Sequence, residues 1–154
     1  MIGRGLLNAM AGSGGNTQIG NGTATVSVTI FSGVLPAAAT ISSNWTGYNT
    51  AYLAHWQGVQ YNQPLYDIPG SGVMLTMANS PADVVAYNNG TAAWGIIWTT
   101  DITPITLQGL VLPNSNFIVG NVSLGSGSGI IRMANLSVVL GTNTALLDSS
   151  ITAS

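Results

Sequence analysis

The chain is 154 residues long, about one domain's worth, and only Arg4, Arg132, Asp67, Asp83, Asp101 and Asp148 are charged at neutral pH. Charged residues make up 4% of it, against roughly 25% in an average globular domain, and Lys, Glu and Cys are absent. Disulfides and thiolate metal sites are therefore excluded, and two distant arginines cannot neutralise a run of nucleic-acid phosphates.

Residues 1–24 read as an arm and linker. Leu6, Leu7 and Met10 make one short amphipathic helical stretch within Ile2–Ala11, and Gly12-Ser13-Gly14-Gly15-Asn16 breaks it. About ten residues cannot hold a helix unsupported, so the stretch is expected to order against this domain or a neighbour. Thr25–Phe31 is the clearest strand: Val26, Val28 and Ile30 share one face and Thr25, Ser27 and Thr29 the other, which predicts one buried and one wet face. Residues 36–70 are loop-rich and hold His55 together with Trp45, Tyr48, Tyr52, Trp56, Tyr61 and Tyr66, with a short strand possible over Tyr52–Trp56. Gly72–Met77 predicts a buried strand, and Ser80-Pro81-Ala82-Asp83 a single helical turn.

Asn89-Gly90 is a strong turn signal before an alternating strand over Thr91–Thr99, in which Ala92, Trp94, Ile96 and Trp98 share a face. Further strands are expected at Ile105–Leu112, Phe117–Val122 and Ile130–Leu140, the last being the longest. Gly125–Gly129 reads as a flexible turn, and Gly141-Thr142-Asn143 leads into a weak tail with Leu146 and Leu147. Short strand signals between Gly, Pro and Asn turns, with no long helix between them, indicate an all-β fold: an antiparallel β-sandwich, jelly-roll-like, with a short N-terminal helical arm. The domain is expected over residues 25–154.

The same sequence argues against several functions. No stretch of about 20 residues is continuously apolar, no signal-peptide core is evident, and the strands are short for a membrane barrel. One His and four Asp are a thin inventory for catalysis, and no G-x-S-x-G nucleophile turn occurs. Asp67, Asp83, Asp101 and Asp148 each sit beside a turn signal, where the side chain caps backbone amides more often than it hydrolyses sugars. No catalytic residue, metal ligand or cofactor is therefore expected. The aromatics of residues 45–66 are the one credible binding surface; they serve core packing first, a protein interface second and sugar stacking third.

Two stretches carry a family resemblance. Thr29-Ile30-Phe31-Ser32-Gly33-Val34-Leu35-Pro36-Ala37-Ala38-Ala39 follows an amphipathic arm, and Asn89-Gly90-Thr91-Ala92-Ala93-Trp94 leads to Leu107-Gln108-Gly109-Leu110-Val111. Both patterns resemble a group of small structural proteins of tailed-bacteriophage virions. The resemblance implies a non-enzymatic virion component, assembled in the bacterial cytoplasm, and its partners would be other virion proteins and copies of itself, with a trimer among the options. Capsid decoration or cementing is the leading expectation. A tail, neck, baseplate or fibre component with a receptor- or glycan-contacting surface is the alternative. Leu6, Leu7, Met10, Trp45, Tyr48 and Trp56 are the candidate contact residues.

Overall fold

The computed structural model describes residues 25–37, 40–41, 51–61, 73–98 and 117–153. The arm of residues 1–24, the segment around Trp45 and Tyr48, and the strand expected at Ile105–Leu112 lie outside them. Among the described residues the chain is all-β, with ten strands, and only Thr40 and Ile41 are helical. In chain order these are β1 (Thr25–Ser32), β2 (Ala54–Gln60), β3 (Val73–Thr76), β4 (Val84–Val85) and β5 (Gly90–Trp98). They continue with β6 (Phe117–Leu124), β7 (Ile131–Met133), β8 (Ser137–Val138), β9 (Asn143–Thr144) and β10 (Leu146–Ala153).

One sheet runs β2-β1-β5-β6-β7-β10-β3, with β8 added beside the start of β5, and β4 and β9 form a separate two-stranded ribbon. The sheet curls until the chain just past its first strand meets the chain just past its last. Tyr61, just past β2, bridges Met77, just past β3, and Ala78 N donates to Gln60 O at 2.8 Å. The pairing is mixed, not wholly antiparallel: β6 and β7 run parallel, in the register Val122 with Ile131 and Leu124 with Met133. Parallel neighbours ordinarily need a crossover of about a dozen residues or more; here residues 125–130 suffice because the glycines let the loop fold back on β6. Gly129 N donates to Ser123 Oγ at 3.0 Å, and a Cβ on Gly129 would lie 2.8 Å from Asn121 O. The stretch expected to be a flexible turn is thus a packed one.

The core lies on both faces of the central strands. Val26, Val28, Ile30, Trp56, Ile97, Ile118, Ile131 and Met133 fill the inside of the curl. Phe31, Ile41, Trp94, Ile96, Trp98 and Phe117 form a second cluster on the opposite face. The wet face expected for β1 is therefore buried: Ser27 is 0% and Thr29 2% exposed. The neighbouring indoles of β5 lie on that face, Phe31 stacking on Trp94 with ring centroids 4.2 Å apart. A bulge where β1 meets β5, between the pairs Phe31–Trp94 and Ser32–Ala92, moves Ala92 to the inner cluster, away from Trp94, Ile96 and Trp98.

Three further expectations are corrected. Ile130–Leu140 is broken into β7 and β8, because Asn135 Oδ1 accepts Ser137 N and turns the chain between them. The weak tail is instead β10, held on one side by β7 and on the other by β3. Ser80–Asp83 forms no helical turn; Ser80 Oγ donates instead to Leu147 O at 2.6 Å.

Candidate interaction surface

His55, Tyr61, Arg132 and Asp148 are engaged in structural contacts. His55 lies on β2, 6% exposed, with Nδ1 2.8 Å from Thr29 Oγ1 on β1. The same hydroxyl accepts the Trp98 indole N–H from β5 at 2.8 Å. One hydroxyl so joins three adjacent strands, and it is 2% exposed, which leaves no approach for a substrate. Tyr61 and Ser149 share a hydrogen bond inside the curl, and burial pushes the Tyr61 phenol well above its ordinary range. Arg132 pairs with Asp148 across β7 and β10, both part-exposed. Among the described residues no group of three His, Asp or similar ligands could hold a metal ion, and no helix is long and apolar enough to cross a membrane.

Of the contact residues expected from sequence, Leu6, Leu7, Met10, Trp45 and Tyr48 lie outside the described residues. Trp56 is corrected: it is 1% exposed and packs within the inner cluster, so it cannot serve as a surface anchor. Its Nε1 has no hydrogen-bond partner among the described residues. Strand parity explains the placement, since Trp56 pairs with Val28 and shares the inward face of β1 and β2.

Large apolar side chains reach the surface elsewhere. Val85 (54% exposed), Tyr87 (53%), Val139 (51%) and Leu140 (57%) sit on two chain segments stitched side by side. Ala86 N donates to Thr142 O at 2.9 Å, Gly141 N to Ala86 O at 3.0 Å, and Leu140 N to the side chain of Asn89 at 2.8 Å. The sequence builds this locally. Asn88 and Asn89 bond backbone groups around the turn into β5, and Gly141 takes a positive φ of 79° to close the loop after Leu140. The loops are thereby fixed with their apolar residues outward. Tyr87 leans on Tyr52, ring centroids 4.8 Å apart; burial first, then the Tyr87 phenol, pushes the Tyr52 hydroxyl above its ordinary range.

Beside these residues opens a cleft of about 290 Å³, with Asp83, Asn135, Val139 and Thr142 among its walls. Single exposed hydrophobics are ordinary, but four on one stitched loop pair make a candidate contact surface. Asp83 is the only charged side chain in that wall and makes no ion pair among the described residues. Sequence reading passed over this surface because Val139 and Leu140 fell within a long predicted strand. Their position immediately before the Gly141-Thr142-Asn143 turn was the available signal.

No protein family, curated protein or solved structure matches the chain.

Proposed function

We propose that the chain is a non-enzymatic structural component of a bacteriophage virion, working by contact with its neighbours, with capsid decoration or cementing as the specific role. The observation that carries this reading is the apolar surface of Val85, Tyr87, Val139 and Leu140 on a chain with only six charged residues. Low charge favours association, and interface cores are depleted of charge. Buried area would then stabilise the assembly by roughly 25 cal/mol per Å², before the costs of association. The engagement of His55, Tyr61, Arg132 and Asp148 in structural contacts supports a role without catalysis. The partners are other virion proteins and further copies of this chain. Two apolar clusters on opposite faces of the central strands support the finer fold reading, a jelly-roll-like sandwich in which a second layer covers the outer cluster. The glycan-contacting alternative loses Trp56 to the interior.

The test is removal. Particles assembled without this protein should lose resistance to heat and to osmotic shock, and should carry it in hundreds of copies when intact. Particles of unchanged resistance would sink the cementing role, and a copy number of a few tens or fewer would move the protein to the tail, neck or fibre.

A further inference from the structure

We infer that the surface formed by Val85, Tyr87, Val139 and Leu140 receives the N-terminal segment of a second copy of this chain, with Leu6, Leu7 and Met10 on the apolar side chains and Arg4 beside Asp83. The inference rests on the reading that the protein works among its own copies, and it names the surface and the occupant.

Charge selects the occupant. The chain has two cationic side chains, and Arg132 is paired with Asp148. Arg4 is the other, and it lies two residues from the apolar Leu6-Leu7 pair. Asp83 stands in the cleft wall beside Val139. A segment with one cation followed by large aliphatic groups matches a largely polar cleft that carries one carboxylate, Asp83, and one exposed aliphatic wall residue, Val139, next in the chain to the exposed Leu140. Desolvated together, such a pair fixes register even where it adds little affinity.

Reach permits the exchange. β1 begins at Thr25, beside Gln60, while Tyr87 bonds Leu53 at the other end of β2. The length of β1, about 25 Å at ~3.3 Å per residue, separates the start of the strand from the surface. Residues 11–24 can span up to about 46 Å when extended, enough to cross to a neighbour. The four apolar side chains are about half-exposed, which leaves area for an occupant to bury, and the low charge of the chain favours an occupant from a second copy. An arm-to-surface contact is head-to-tail, and its repetition closes a small ring if the rotation allows.

The experiment uses the purified full-length chain, with mass measured by light scattering after size exclusion and fold checked by circular dichroism. Wild type should be oligomeric. Leu7→Ser and Leu140→Ser should each shift it to folded monomer, and mixing the two variants should restore complexes, because the intact arm of one meets the intact surface of the other. Arg4→Asp and Asp83→Arg should each weaken association more than tenfold, and the double variant should recover most of that loss. Three results would overturn the inference: a wild-type monomer, as expected if the arm folds back on its own chain; dissociation by Leu140→Ser but not by Leu7→Ser, as expected if two surfaces meet directly; or no recovery in the mixture. Arm-dependent oligomers that never enter a particle would overturn the virion reading and leave this inference standing.

Discussion

Gly95→Ala tests how tightly the inside of the curl is filled. Gly95 lies in the middle of β5, paired with Ile30 on one side and with Gly120 on the other. A Cβ there would lie 2.6 Å from Ile131 Cδ1, 2.8 Å from Ile30 Cδ1 and 2.9 Å from the backbone oxygen of Thr29. Carbon atoms prefer about 3.5–4.0 Å, so each neighbour would have to withdraw by roughly 1 Å. Ile30 and Ile131 are both 0% exposed, and the Thr29 oxygen is part of the β1–β5 ladder. Overpacking of this kind costs about 1–3 kcal/mol, and the smaller entropy of the unfolded alanine chain returns about 0.4–1 kcal/mol. The net expectation is a loss of about 1–2 kcal/mol, read as a fall of roughly 0.5–1 M in the urea midpoint at an unchanged slope. Ile131→Val removes the offending Cδ1. Alone it should cost about 0.5–1.5 kcal/mol, and in the Gly95→Ala background measurably less, with a coupling of at least about 0.5 kcal/mol. A Gly95→Ala variant as stable as wild type, or additive costs in the pair, would show that the interior has slack and that the packing argument fails.

Three other outcomes are expected. Thr29→Val removes the hydroxyl that joins His55 and Trp98 inside the sheet, and should cost about 2–3 kcal/mol, seen as a melting temperature lower by about 4–12 °C; an unchanged melting curve would refute the three-strand linkage. Tyr61 holds its proton more tightly folded than unfolded, so its contribution is complete below the unfolded pKa near 10 and is lost as pH rises from there towards the raised folded value, at about 1.4 kcal/mol per pH unit. Denaturation at graded alkaline pH should show a shallower decline in Tyr61→Phe, and an identical decline would refute the assignment. Arg132→Gln should cost less than about 1 kcal/mol, and the cost should shrink further in high salt, because the pair with Asp148 is part-exposed.

Much of the strand framework was legible. β1 and β5 are alternating apolar runs, β6 opens on a continuous one, and the turn at Gly141 stands where the residues put it; the bend expected at Asn89-Gly90 falls instead at Tyr87-Asn88, and Gly90 already opens β5. What escaped was polar material in buried places. Ser27 and Thr29 look like solvent residues by pattern; only the cross-strand neighbours Trp98 and His55, distant in sequence, make burial of Thr29 affordable. β10 was hidden for the same reason: its Ser149 is 0% exposed because Tyr61 satisfies it from across the interior. Among the candidate contact residues, Trp56 was misplaced by weighting aromatic density over strand parity. Trp56 faces inward with Val28, while the exposed residues are aliphatic side chains and one tyrosine at loop ends, where periodicity carries no signal.

The bridge between Tyr61 and Met77 bears on how copies of the chain coexist at close quarters. An open sheet offers unpaired amides and carbonyls along its outer strands, and proteins commonly guard such margins with lysine. This chain has no lysine to place there. The main sheet meets itself at that one point, which pins together the ends of its outermost strands, β2 and β3, and curls their free edges away from a flat array. Curling the outer strands toward one another thus does part of the work against fibril growth that charge does elsewhere.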